Sequence, residues 1–255
     1  MKVLGLDTST LTAGIALLDD ERVLGEARHD ASHRTNDLLV TVDRVCREAK
    51  VAPMELEAVA IGAGPGSFTG LRIGMASAKG IAFAARRPLW AVSSLAALAY
   101  DGAQALVAQQ MLPYLDGLVV AVLDARRGEV FAGCYRANGG AAKDLALVDV
   151  ERVMAPAELA PWVTSLAGAA PGTAKDNTSL VTFAGDAIDA HAEVLAPLRA
   201  LWLPPRTPSG VAVARLALAG PRTDVLTGGA PTYIRPSEAE VKYPDGVPGA
   251  LRKRG

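Results

Sequence analysis

The chain has 255 residues, half of them hydrophobic, which is ample apolar material for a large core or two lobes. A formal charge of −1 argues against a protein whose whole surface grips nucleic acid, because phosphate binding needs a concentrated basic field. Cys46 and Cys134 are far apart and form no CxxC pair, which argues against a disulfide framework or a cysteine zinc site and fits a reducing cytosol.

The opening run MKVLGLDTST breaks at Asp7, too early for a signal peptide, and the apolar run at 118–123 is strand-length; a cytoplasmic protein with no membrane span is expected. Residues 2–6 predict a buried strand and the polar stretch Asp7-Thr8-Ser9-Thr10 a turn. Strands follow at 13–18 and 22–28. Over 35–50 the pattern becomes helical, with Leu38, Val42, Val45 and Ala49 on one face, Asp37 in the first turn and Arg47 and Lys50 in the last. A strand at 57–62 enters GAGPGSFTG and a long helix to about Arg87. Pro88 stops that helix, a strand at 89–92 follows, and then a helix over 93–110. Alternating strands and helices imply a largely parallel continuation of the sheet.

The second half opens as the first does. Residues 117–123 lead to Asp124, a turn through Ala125-Arg126-Arg127-Gly128, and a strand at 129–135. Strand, aspartate, polar turn and strand thus occur twice, which a duplicated lobe explains economically. The linker is expected near 101–117, a loop at 167–179, a strand at 180–184, and helices near 186–196 and 209–219. Little regular structure is expected after 230. The resulting division is a first lobe at 1–103, a second at 104–230 and a tail at 231–255.

The sharpest local motif is Gly62-Ala63-Gly64-Pro65-Gly66-Ser67-Phe68-Thr69-Gly70. A glycine-rich turn between strand and helix exposes N–H groups that can cradle an anion. It matches neither the P-loop, nor GxGxxG, nor the GxSxG elbow of hydrolases. The structural alternative is a tight turn with Ser67 or Thr69 capping the helix. His29 and His33 have HxxxH spacing but fall between strand and helix, where that spacing does not bring them together, and the remaining histidine is His191. No serine stands in a nucleophile motif beside any of the three. Asp7 and Asp124 either fix turns or, as in an actin-fold ATPase or kinase, work around Mg-ATP. The basic end Arg252-Lys253-Arg254 is read as solvated, with RNA contact as the alternative.

Several segments, in order along both halves, resemble the TsaB (YeaZ) family: LGLDTSTLTAGIALLDD, GPGSFTGLRIGMASAKGIA, VSSLAALA, LDARRGEVFAGCY and PTYIRP. Gly64, Gly66, Ser67, Thr69 and Gly70 carry the family motif. The resemblance implies an α/β, actin/Hsp70-like (RNase H-like) duplicated fold with two mixed-sheet lobes, the second reduced. It implies a non-catalytic subunit that partners a catalytic paralogue, TsaD, in transferring threonylcarbamoyl to N6 of the tRNA adenosine next to the anticodon. A small ATPase, TsaE, joins that complex, and tRNA is met through it. Where TsaD carries its metal-binding histidine pair this sequence has Ser94 and Leu98, so no catalytic residue, metal or cofactor is expected in the isolated subunit.

The family also resembles a dimer of first lobes built as a four-helix bundle. Gly70, Gly74 and Ala78 recur every four residues along one stripe, flanked by Leu71 and Met75. With Leu38, Leu39, Val42 and Val45 on the other helix they form the expected surface for the paralogue, or for a second copy when the chain is alone. The alternative is that the glycine stripe packs its helix on the chain's own sheet.

Overall fold

Strand β1 (Lys2–Asp7) is buried at every residue after Lys2, so its sequence shows no alternation between apolar and polar residues. It pairs antiparallel with β2 (Thr12–Asp19), which pairs antiparallel with β3 (Arg22–Asp30). On its other side β1 runs parallel to β4 (Ala58–Gly62), and β4 to β5 (Leu89–Val92), giving the order β3-β2-β1-β4-β5. The computed structural model describes residues 1–30, 37–109, 116–138, 140–168, 181–195, 200–204 and 206–235.

The second sheet repeats this arrangement. Its strands are β6 (Asp116–Arg126), β7 (Glu129–Asn138), β8 (Leu145–Met154), β9 (Val181–Ala184) and β10 (Leu201–Trp202). The order is β10-β9-β6-β7-β8, with β6, β7 and β8 antiparallel and β6, β9 and β10 parallel. Asp7 and Asp124 therefore occupy matching places, near the ends of the two equivalent first strands. The repeated topology is that of the actin/Hsp70-like, RNase H-like fold. The second lobe keeps all five strands, the last of them the two-residue β10.

Helices α1 (Asp37–Glu48) and α2 (Phe68–Ala85) cover the outer face of the first sheet, with Leu38, Val42, Val45, Met75, Ala78 and Ala82 packed on Leu4, Leu6, Ile15 and Ile61. Helix α4 (Pro156–Gly168) covers the corresponding face of the second sheet through Leu159 and Val163. Helices α3 (Ser94–Ala108) and α6 (Gly210–Ala219) lie between the sheets and are apolar nearly all round, as a helix buried on every side must be. From α3, Leu95, Leu98, Ala103 and Leu106 pack on the second sheet, while Ala97 and Tyr100 meet α6 and the first sheet.

Several expectations are corrected here. The boundary at 103/104 falls inside α3, which runs on to Ala108 and serves both lobes. Helix α6, assigned by chain order to the second lobe, lies on the first sheet at Val3, Ala16, Ala58 and Ala60. Strand β8 and helix α4 went unrecognised: β8 is an edge strand with exposed valines, and Pro161 interrupts the helical pattern of α4. Where a helix is expected near 186–196, the chain forms a 3-10 turn (Asp189–His191) and then α5 (Ala192–Leu195), and residue 196 lies outside the described residues. Residues 167 and 168 close α4, and the rest of the loop expected at 167–179 lies outside the described residues. Among the described residues no helix is long and apolar enough to cross a membrane.

Candidate functional site

The turn after β1 is built around the Asp7 carboxylate, which is fully buried. Its Oδ1 accepts from the Ser9 N–H (2.8 Å) and the Ser9 hydroxyl (2.5 Å), and its Oδ2 accepts from the Ser94 hydroxyl (2.7 Å). Ser94 Oγ in turn accepts from the Gly64 N–H at 3.2 Å, and the Ser94 N–H donates to the Gly64 carbonyl at 2.9 Å. One carboxylate thus ties the β1 turn, the glycine loop and the start of α3 together. Burial pushes the Asp7 carboxyl above its ordinary range, against the pull of the Ser9 and Ser94 bonds. Both its oxygens are taken by donors from the chain itself, so Asp7 fixes a turn.

Asp124 does the same at the matching place, accepting from the Arg126 N–H at 2.7 Å with its other oxygen 3.2 Å from the Arg126 guanidinium. Asp124→Ala is expected to lower stability by about 1 kcal/mol, the loss of one turn hydrogen bond and an exposed ion pair, read from the urea midpoint. Loss of function in a folded, assembled variant would contradict the turn assignment.

In the glycine motif Ser67 is the N-cap of α2, its Oγ accepting from the Gly70 N–H at 3.3 Å, and its own N–H donates to the Ser9 carbonyl at 2.7 Å. Gly64 has φ +114°, which a side chain would strain. Gly66 lies against Ser9, and Thr69 is exposed on the first turn of α2. A Cβ on Gly70 would stand 2.2 Å from the Thr8 carbonyl oxygen, and one on Gly74 only 2.0 Å from Thr8 Oγ1. Leu71, Met75 and Ala78 are buried on the same side. The stripe therefore packs α2 on its own sheet; the expectation that Gly70, Leu71, Gly74, Met75 and Ala78 face a partner is corrected, because the β1 turn already fills that groove.

Helix α1 needs the same correction in part. Leu38, Val42 and Val45 are buried beneath it, and of the four expected residues only Leu39 points out, 51 % exposed. Beside it stands Val40 at 66 %, and the outward face of α2 carries Ala76, Gly80 and Phe83, the last 77 % exposed. A Cβ on Gly80 would meet nothing within 4 Å. The exposure of Ala76, Gly80 and Phe83 follows from helical register: on a helix whose Gly74 points in, positions 76, 80 and 83 lie opposite.

Between the lobes opens a cleft of about 920 Å³, lined by the α2 N-terminus, the β6–β7 turn and the segment after α6. Asp124 lines it and Asp7 does not. Asp186, whose carboxyl accepts from the Asp124 N–H at 3.1 Å, is raised by burial, and the Asp124 charge adds to the effect. Residues 224–235 hold no regular structure but are tied down along the first lobe. Val225 N–H donates to Leu89 O (2.8 Å), Thr232 N–H to Ala63 O (2.7 Å) and Lys79 Nζ to Gly229 O (2.6 Å). Arg235 then crosses to the second lobe, reaching Ala125 O at 2.9 Å and Glu129 at 2.8 Å.

A second interlobe tie lies at Asp101 on α3, whose carboxylate accepts from the N–H (2.8 Å) and hydroxyl (2.7 Å) of Ser209, the N-cap of α6. Burial pushes this carboxyl from 3.8 up to about 6. Because the folded value is raised, the group's contribution to stability is fully present below pH 3.8 and is lost as pH rises through about 6. The interval corresponds to about 3 kcal/mol at most. Asp101→Asn is expected to flatten that decline, measured as urea midpoints between pH 3.5 and 7. An unchanged slope would remove Asp101 as its source.

Of the histidines, His29 lies on β3 and His191 in the 3-10 turn, while His33 and the basic end 252–254 lie outside the described residues. Among the described residues no three His, Cys, Asp or Glu side chains cluster as metal ligands would. Ser94 is engaged with Asp7 and Gly64, and Leu98 is sealed in the core of the second lobe, so neither position fits a metal ligand.

Two sheets of one repeated order, helices exchanged between them and a cleft at the ends of the equivalent strands define a two-lobed protein of the actin/Hsp70-like class. Residues 28–236 match the family described as "TsaD: tRNA N6-adenosine threonylcarbamoyltransferase". The chain is 29 % identical over 248 residues to the tRNA threonylcarbamoyladenosine biosynthesis protein TsaB of Bacillus subtilis, spanning 95 % of this chain and 98 % of that one. To TsaB of Escherichia coli it is 32 % identical over 136 residues, 53 % of this chain and 55 % of that protein. The solved structure of YeaZ from Pseudomonas aeruginosa superposes with a TM-score of 0.71 at 32 % identity, covering 91 % of this chain and 99 % of that one. The chain belongs to the TsaB/YeaZ family, related to TsaD.

Proposed function

We propose that this chain is the non-catalytic partner subunit in tRNA threonylcarbamoyladenosine biosynthesis, holding a TsaD-type catalytic paralogue in its working arrangement. A TsaE-type ATPase joins that complex, tRNA is modified by it, and the chain pairs with a second copy when alone. It needs no cofactor of its own. The observation that carries this reading is the Asp7–Ser94–Gly64 lock. Where the resemblance places the paralogue's metal histidines, this chain closes the space with its own hydrogen bonds and with Leu98. The rival, an ATPase or kinase working through Asp7 and Asp124, lacks Asp7 in the cleft. Micromolar Mg-ATP binding by the isolated chain, about −8 kcal/mol by calorimetry, would revive it.

The partner surface is the outward face of α1 and α2, centred on Leu39, Val40, Ala76, Gly80 and Phe83. These side chains are apolar or absent, α1 and α2 present them, and they stand exposed among the described residues. Phe83→Asp is expected to leave the fold intact and weaken paralogue binding by about 2 kcal/mol or more, since an exposed aromatic anchor is the usual hot spot. The measurement is co-purification with the organism's own TsaD, followed by a transfer assay with each protein omitted in turn. Binding at full strength would discard this face, and transfer by the isolated chain would discard the non-catalytic reading.

A further inference from the structure

The cleft holds a chemical pattern that a scaffold has no need of. On a chain of net charge −1, Arg72, Arg126, Arg127 and Arg235 all line it, against Asp124 and Asp186. Asp124 is paired with Arg126, Arg235 with Glu129, and the Asp186 carboxyl accepts from the Asp124 N–H. A hollow of about 740 Å³ adjoins the cleft, sharing Thr12, Thr207 and Asp186 with it and adding Arg28 and Arg206, with one further carboxylate, Asp101, that is already bonded to Ser209. Among the described residues Arg28 bonds Thr207, Arg206 bonds the Asp101 and Pro204 carbonyls, and Arg72 bonds the Tyr233 hydroxyl. All of these acceptors are neutral oxygens, so the bonds fix the side chains without cancelling their charge.

Two further features sharpen the pattern. The β6–β7 turn is a two-residue hairpin, a setting that favours Asn-Gly, yet Arg126, Arg127 and Gly128 have φ values of 62°, 58° and 76°. Two successive arginines are thus held in the left-handed region beside an irregularity in β6, a device that re-aims side chains and is found near functional sites. Across the cleft Arg72 lies 3.8 Å over the ring of Phe68, whose centroid is 5.2 Å from that of Tyr233. Phe68 and Tyr233 keep 39 % and 41 % of their surface exposed.

Basic side chains along a groove, with an aromatic and guanidinium platform inside it, are how proteins hold single-stranded nucleic acid. We infer that cleft and hollow form one groove for a single-stranded stretch of RNA, its phosphates on the arginines and a base on the Phe68–Arg72–Tyr233 stack. The two joined hollows give a strand a longer path than the cleft alone would. This deepens the proposed function by giving the subunit a direct contact with the tRNA, and it rests on that reading for the identity of the RNA.

The test uses the full chain with a labelled, unstructured ten-nucleotide RNA, followed by fluorescence anisotropy across a salt series, with AMP and unlabelled tRNA as competitors. Salt-dependent binding is expected, displaced by tRNA and not by AMP at equal concentration. Tyr233→Ala should weaken it about tenfold through lost stacking. Arg126→Ala with Arg127→Ala should lower the slope of log K against log salt by about 1.4, two phosphate contacts on a single strand. Arg28→Ala with Arg206→Ala, in the far hollow, should lower it similarly and so covers the case in which the turn variant misfolds. Absence of binding at low salt, displacement by AMP as effective as by tRNA, or unchanged slopes in both folded double variants would each overturn the groove. Co-purification of the same variants with TsaD reports on the scaffold separately, so the groove can fail while the scaffold stands.

Discussion

Gly74→Leu is expected to destabilise the fold by about 3 kcal/mol or more, while the outward face of α2 keeps its residues. A Cβ at position 74 would already stand 2.0 Å from Thr8 Oγ1 and 3.0 Å from Thr8 Cβ, so the clash begins before the rest of the leucine is added. Thr8 cannot swing away cheaply, because its hydroxyl donates to the Gly70 carbonyl at 2.8 Å and holds α2 against the β1 turn. Overpacking of this kind costs about 1–3 kcal/mol and more where backbone must move, which for a chain of this size lowers the melting temperature by about 10 °C. Gly80→Leu supplies the contrast on the same helix. Nothing lies near its Cβ, and a helix-interior glycine gives up about 1 kcal/mol of propensity, so that variant should melt no lower than the parent. It should, however, weaken binding of the paralogue. Calorimetric melting and co-purification of both variants separate the two faces. A Gly74→Leu protein that melts like the parent would mean that the inward packing has been misassigned.

Asp7→Ala is expected to cost about 3 kcal/mol, because it leaves the Ser9 N–H, the Ser9 hydroxyl and the Ser94 hydroxyl buried without their acceptor. Removing a charge that burial already disfavours offsets part of this loss, so the full sum of three bonds is not expected. Asp7→Asn keeps one acceptor oxygen and turns a donor toward Ser94 Oγ, so about 1 kcal/mol is expected there. The pH dependence has a definite sign. With the folded pKa raised, the aspartate contributes most at low pH and less as pH rises, so Asp7→Asn should compare best with the parent in alkaline buffer. Urea midpoints at pH 5 and pH 8 read this directly. Equal losses for Ala and Asn would show that the carboxylate's hydrogen bonds do not hold the three segments together.

Much of the first lobe was legible in the residues, and the reasons are local. Strands β1, β2, β4 and β5 are short apolar runs closed by turn residues, and α1 shows one apolar stripe of helical period. Ser67 could be read as a cap from its place between glycine and helix, and Asp7 and Asp124 as turn aspartates from the polar residues after each strand. Strand β8 and helix α4 were illegible for equally local reasons, an edge strand that exposes valines and a helix containing Pro161.

What the amino-acid order determined by itself was the set of elements, their repetition and the glycines at which the backbone must come close. It could not determine which body occupies the space beside each glycine. Periodicity shows that Gly70, Gly74 and Ala78 share a face, yet a face without side chains suits a partner helix and the chain's own turn equally well. Only the pairing of β1 with β4 brings Thr8 to that face and leaves Phe83 on the other. The destination of α3 and α6 was decided the same way. Each is apolar nearly all round, so neither carries a polar face to show where solvent lies, and only the closing of two sheets around them assigns α6 to the first and α3 to both. Contact between residues 60 or 200 positions apart follows from sheet register and layer packing, which no local pattern encodes.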